Sequence, residues 1–129
     1  MRVDLLPEAL AGEDGPLIVC AQAGEVNTGA CDDLEAIADA CSEAGAWLHV
    51  DGAFGLWAAA SPARSHLVVG HERADSWATD AHKWLNVPYD CGVVFCAHPE
   101  AHAADSLTSI GCPGLLLETV DAACDAFVR

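Results

Sequence analysis

Positive charge is scarce in this chain: five lysines and arginines stand against twenty aspartates and glutamates, a net charge of −15. Nucleic acid and anionic membrane surfaces both select for clustered cations, so neither is expected as a partner. No apolar run approaches the ~18 residues that a membrane span requires. Met1 to Leu10 carries one arginine and two acids without an apolar stretch, so no secretory leader is expected. The seven cysteines include no Cys-x-x-Cys pair, and an odd number so spaced reads as reduced thiols in a cytoplasmic protein rather than a disulfide framework. Cys91, Cys96, His98 and Cys112 match no compact zinc module, no metal site is expected, and small buried hydrophobes are the better account of most of these thiols. Internal repeats and low-complexity linkers are missing too. What remains suits one ordinary domain, with 129 residues and an apolar share of 53%, inflated by alanine, that suffices for a core.

Among the positive charges lysine is the rarest, with Lys83 its single occurrence beside four arginines. It sits in Asp80-Ala81-His82-Lys83-Trp84, directly after a strand-like run. A deprotonated lysine amine condenses with an aldehyde, which an arginine cannot do. Asp51 closes a second strand-like run, Ala46-Trp47-Leu48-His49-Val50-Asp51, and is followed by the small residues Gly52 and Ala53. A carboxylate there lies at a strand's carboxyl end, where open α/β sheets bind ligands. Pyridoxal phosphate (PLP) chemistry needs this pair: an amine for the aldehyde carbon and an anion against the pyridine nitrogen. Simpler readings stand beside it. Lys83 is also read as a solvated lysine at a loop edge, Asp51 as a helix-capping or turn aspartate, and the two as a salt bridge in an α/β binding module.

The pattern of elements is α/β. Leu17-Ile18-Val19-Cys20-Ala21 is a continuous apolar run of strand length, suited to a sheet covered on both faces. Asp32 is placed to cap the next helix, with Glu35 as its capping-box partner and Leu34, Ile37, Ala38 and Cys41 as its apolar stripe. Gly45 ends that helix, and the strand up to Asp51 completes a strand-helix-strand unit whose strands should be parallel and its crossover right-handed. An alanine-rich helical stretch follows Gly55, with Pro62 near its start or at a break. A short strand around Ser76 to Thr79 leads into Lys83, Gly92 to Cys96 reads as a further strand, and Leu117, Val120, Cys124 and Phe127 or Val128 predict an amphipathic helix from about Leu115.

Several segments, in order and at matching separations, resemble the group II PLP-dependent amino-acid decarboxylases. They are Ala23-Gly24-Glu25-Val26-Asn27-Thr28-Gly29-Ala30-Cys31-Asp32, His49-Val50-Asp51-Gly52-Ala53-Phe54-Gly55, Ala74-Asp75-Ser76-Trp77 and Asp80-Ala81-His82-Lys83-Trp84-Leu85-Asn86-Val87-Pro88-Tyr89-Asp90. The likeness runs from about Pro16 to Glu100. It implies a partial large, PLP-binding domain of a fold type I PLP enzyme, α/β, with a mostly parallel sheet and flanking helices. Residues 1–100 would be the central part of that domain and 101–129 a divergent tail.

Carried over by position, the resemblance implies PLP as cofactor, Lys83 as the lysine that condenses with it, and Asp51 as the partner of the pyridine nitrogen. Ala53 falls on the small residue against the ring and His82 on the histidine near the phosphate. Asp80 stands where many members carry an asparagine close to the phosphate. Val26 replaces a hydroxyl residue that animal members place at the cofactor, which leaves Asn27 or Thr28 for that contact.

The implied reaction is decarboxylation of a small-molecule amino acid in a cytoplasmic enzyme whose complete members are homodimers. Glutamate, 2,4-diaminobutyrate, aspartate and aromatic amino acids all remain open as substrates, with a lean toward non-aromatic or broad specificity. The phosphate loop, the ring-stacking histidine and the substrate-gripping stretch of the family have no counterpart here, so an incomplete or internally deleted member lacking full activity is expected. The alternatives are a non-catalytic remnant or interaction module, and another PLP reaction such as transamination or aldehyde-lyase cleavage.

Overall fold

The computed structural model describes residues 1–106 and 116–119. Its centre is one five-stranded sheet of β1 (Ile18–Gln22), β2 (Trp47–Asp51), β3 (Ser76–Asp80), β4 (Gly92–Cys96) and β5 (Leu116–Thr119), arranged in that order. All neighbours are parallel except β3 and β4, which run antiparallel. Three helices accompany it: α1 (Leu6–Ala11), α2 (Leu34–Ala44) and α3 (Pro99–Ser106). The expected α/β class and mostly parallel sheet are therefore observed, as is the parallel pair joined through a helix.

Strand alternation decides where the core lies. Val19 and Ala21 of β1, with Leu48 and Val50 of β2, point to one face and are buried against Leu34, Ile37, Ala38 and Cys41 of α2 and Leu10 of α1. The opposite face is open at β1, where Ile18 is 70% exposed and Cys20 is exposed. The run through Leu17 to Ala21 is thus covered on one face only, not both as its unbroken apolarity predicts; no helix packs over Ile18 and Cys20 among the described residues.

Helix α2 starts one residue later than its capping box predicts. Asp33 is the N-cap, accepting from the Ala36 amide at 3.1 Å, because Asp32 is committed elsewhere. Its carboxylate accepts from Gln22 N at 2.9 Å and pairs with the amino terminus, while its own amide donates to the Gln22 carbonyl. Gly45 ends α2 in the left-handed region, at φ 66°, where its missing Cβ removes the steric cost.

Two further expectations change. The alanine-rich stretch after Gly55 forms a short 3₁₀ helix over Leu56–Ala60, followed by single 3₁₀ turns at Ser65–Leu67 and His71–Arg73. Pro62 lacks an amide hydrogen and disfavours helical geometry at Ser61, so the run cannot lengthen into an α-helix. In the tail, Leu116–Thr119 is strand β5, paired with β4, where an amphipathic helix is expected. Three consecutive leucines before Glu118 and Thr119 lack a helical period, and the free edge of β4 offers a ladder. The rest of that expected helix, with Val120, Cys124 and Phe127, lies outside the described residues.

Candidate active site

Because β1, β2 and β3 are parallel, their carboxyl ends share one edge, and Gln22, Asp51 and Asp80 end there. β4 runs the other way, so its first residue Gly92 is paired with Asp80 and the preceding Cys91 joins the same edge. The sequence segments singled out for chemistry thus converge on one rim of the sheet, at the carboxyl ends of its parallel strands, where open α/β sheets bind ligands.

The loops leaving β1 and β2 touch backbone to backbone. A Cβ on Gly24, at φ +82°, would lie 2.6 Å from Gly55 Cα, and one on Gly55 would lie 2.6 Å from the Ala23 carbonyl oxygen. Glycine at both positions is what allows Ala23 to accept from Gly55 N at 2.9 Å. Asp51 itself is exposed; its Oδ1 accepts from Ala53 N at 3.1 Å, so the turn is closed by the carboxylate of the strand's last residue. The Gly52 carbonyl accepts from the buried Thr79 hydroxyl at 3.1 Å, and Gly52 N donates to Ala78 at 2.8 Å. These two bonds fix the Asp51–Gly52–Ala53 turn onto β3.

Lys83 lies in the turn after β3, with about a quarter of its side chain exposed. Its Nζ forms an ion pair with Asp80 Oδ2 and sits 4.0 Å from the centre of the Phe54 ring. The partner is therefore Asp80, three residues back, and not Asp51 as the plain salt-bridge reading had it. His82 is held by the start of β4. Cys91 N donates to His82 Nδ1 at 3.0 Å, and the Cys91 carbonyl already accepts from Ala81 N. Nδ1 also lies 3.0 Å from the Cys91 carbonyl oxygen, and Nε2 lies 3.8 Å from Asp80 Oδ2. The Tyr89 ring packs on His82 at 4.1 Å.

Asn27 and Thr28 turn their donors elsewhere. Both amides, the Asn27 side-chain amide and the Thr28 hydroxyl all donate to Glu25, at 2.6 to 3.0 Å. The Asn27 amide first, then the Thr28 hydroxyl, hold the Glu25 carboxyl below its ordinary range. Beyond Phe54 opens a cavity of about 570 Å³, lined in part by Gly24, Gly55, Trp57, Arg64 and Trp84. His98, weighed as a metal ligand in sequence, bonds Asp75 Oδ1 at 2.7 Å, and Asp75 Oδ2 accepts from Leu48 N at 2.7 Å.

Sequence reasoning gave Phe54 no role and weighed Cys91 only as a metal ligand. Phe54 lies inside a quoted motif, but its contact with Lys83 depends on how two loops pack, which spacing does not encode.

A lysine and an aspartate on the carboxyl rim of a mostly parallel sheet define an α/β ligand-binding core of the kind found in PLP enzymes. The profile described as the pyridoxal-dependent decarboxylase conserved domain matches residues 3–108, and the chain belongs to that family. It is 47% identical over 79 residues to an aromatic-L-amino-acid decarboxylase of Bacillus atrophaeus, covering 61% of this chain and 16% of that one. To human cysteine sulfinic acid decarboxylase it is 40% identical over 101 residues, with 72% and 20% covered. The crystal structure of mouse CSAD superposes with a TM-score of 0.67 at 37% identity, over 73% of this chain and 21% of that one. An Oryza sativa TDC structure with PLP and tryptamine gives 0.65 at 34%, over 71% and 20%. The chain therefore spans about a fifth of the length of the relatives it matches.

Proposed function

We propose that this chain is the central part, over residues 1–100, of the cofactor-binding domain of a PLP-dependent amino-acid decarboxylase, with 101–129 a divergent tail. The observation that carries this reading is the common rim: Asp51 ends β2, and Lys83 follows the end of the adjacent parallel strand β3. The donor set fits the reactive half of the cofactor, one amine and one carboxylate whose second oxygen is free of any hydrogen bond within the described residues. Lys83 would hold the aldehyde carbon and Asp51 the protonated ring nitrogen, with the Ala53 methyl beside the ring and His82 Nε2 3.8 Å from Asp80 Oδ2. PLP supplies, when bound, the electron-poor ring that takes up the electron pair left by a departing carboxylate.

The residues' own work is limited and concrete. Asp51, at the exposed end of its strand, offers an anion that no basic side chain among the described residues pairs with. Phe54 and Asp80 position the Lys83 amine, and Cys91 orients His82. Asn27 and Thr28 give their donors to the Glu25 turn, so their part in the cofactor site would be to shape the loop. The substrate class is an α-amino acid, as in the names of the aromatic and cysteine sulfinic relatives. A cytoplasmic homodimer is the expected setting of the whole protein; among the described residues no helix is long and apolar enough to cross a membrane.

The test is chemical. Excess PLP followed by borohydride should fix one pyridoxyl group on Lys83, read by peptide mapping. Label confined to the Met1 amine, the other primary amine of the chain, would remove the assignment. In a full-length relative carrying the equivalent change, Asp51→Asn should depress decarboxylation by tenfold or more, on the order of 1.4 kcal/mol or above, with little loss of folding stability. Near-normal turnover would exclude Asp51 as the ring-nitrogen partner.

A further inference from the structure

We propose that Asp80 is a latch on Lys83, a positioning residue whose carboxylate holds the amine in an ion pair and slows its capture of the cofactor aldehyde. The proposal rests on the reading of Lys83 as the cofactor lysine and adds a control to it. Two contacts on the amine act in one direction. The Asp80 carboxylate pairs with Nζ where both side chains are only about a quarter exposed, at 24% and 26%, so screening by solvent is partial. On the other side the Phe54 ring, 4.0 Å away, also favours a cation. An ammonium has no lone pair to offer a carbonyl carbon. Asp51, the anion expected beside the cofactor, takes no part in this pairing.

The other titratable groups around the pair are His82, whose Nε2 lies 3.8 Å from the same Asp80 oxygen, Tyr89 stacked on His82, and Cys91 at the start of β4. In the capture step the ammonium first yields one proton to solvent. Its lone pair then forms a bond to the aldehyde carbon, and the carbonyl oxygen departs as water with the two remaining amine hydrogens, leaving a carbon–nitrogen double bond. No oxidant or reductant is consumed until borohydride is added to trap the product.

The experiment compares the 129-residue chain with Asp80→Asn and Asp80→Glu. Pyridoxal without its phosphate is the probe, because a phosphorylated one would also report the change in net charge. Samples are quenched with borohydride at intervals from pH 6 to 10, and label on Lys83 is divided by label on the Met1 amine of the same molecules. Asp80→Asn should raise that ratio roughly fivefold near neutral pH, the scale of a partly screened ion pair. Asp80→Glu should restore slow capture. Circular dichroism verifies each fold. If Asp80→Asn does not fold, raising salt to about 1 M on the unaltered chain, which weakens the pair, should raise the rate of Lys83 labelling itself; the ratio does not serve in this arm, because the Met1 amine is paired with Asp32 and responds to salt as well. Lys83 labelling that ignores both Asp80 and salt at every pH would overturn the latch while leaving Lys83 as the cofactor lysine. Failure to label Lys83 in any variant would remove both.

Discussion

Lys83 shows how far a single residue can be read. Its rarity and its place after a strand pointed to chemistry, and the motif around it named the family. The partner of its amine was beyond that reading, because Asp51 and Asp80 end neighbouring strands and only the packing of the turn selects between them. The thiols are a second case. Burial first, then the negative charge of Asp75, push the Cys41 thiol up, whereas Cys20 is exposed on the open face. A protonated, buried thiol is a poor nucleophile. Iodoacetamide at pH 8 should therefore alkylate Cys20 at least tenfold faster than Cys41, on the order of 1.4 kcal/mol of protection. Equal rates in a time-resolved peptide map would mean that α2 opens freely. The sign of the linkage follows: a raised thiol stabilises the fold below the ordinary cysteine pKa, and that contribution fades as pH climbs through the higher folded value. Cys41→Ala should flatten the alkaline limb of a stability-versus-pH curve.

At the scale of elements, what was legible were strands and helix ends whose signals are local. Gly45 terminates α2 because a left-handed residue is needed there, and the apolar stripe Leu34, Ile37, Ala38 and Cys41 is the face that α2 buries. Misreadings arose where a distant partner decided. Asp32 and Asp33 are equivalent as caps by sequence; the Gln22 amide, ten residues earlier, draws Asp32 away and leaves the cap to Asp33. The two should separate on mutation. Asp33→Ala removes the bond to Ala36 and should cost about 1 kcal/mol through the loss of an N-cap. Asp32→Ala instead frees the Gln22 amide, so its cost should fall on the joining of the β1 end to α2. Hydrogen exchange distinguishes them: the first variant should speed exchange in the first turn of α2, the second at Gln22. Faster α2 exchange in the Asp32 variant, with none in the Asp33 variant, would reverse the assignment.

For the whole molecule, the decisive quantity is the apolar surface that the described fold leaves in water. β1 is an outer strand of the sheet, and only its carboxyl end is covered, where Asp32 bonds both backbone groups of Gln22. The rest of that edge carries Ile18, 70% exposed, with Cys20 beside it on the same face. A second apolar strip follows Lys83, with Trp84 71% and Tyr89 84% exposed. An open strand edge with apolar side chains is a template for further pairing. Opposing it is the charge of −15, which repels copies of the chain over a Debye length of about 10 Å at 0.1 M salt. Salt should therefore decide the outcome, and association should strengthen as ionic strength rises, the reverse of an assembly held by ion pairs. Sedimentation velocity should show a shift from monomer to larger species between about 0.05 and 0.5 M salt. Ile18→Lys should suppress that shift, since burying one isoleucine is worth about 1.5–3 kcal/mol and a lysine forfeits it on an edge strand. Trp84→Ser should have the smaller effect, because Trp84 sits on a turn without a free ladder. A concentration-independent monomer across that salt range would show that the β1 edge does not recruit a second chain.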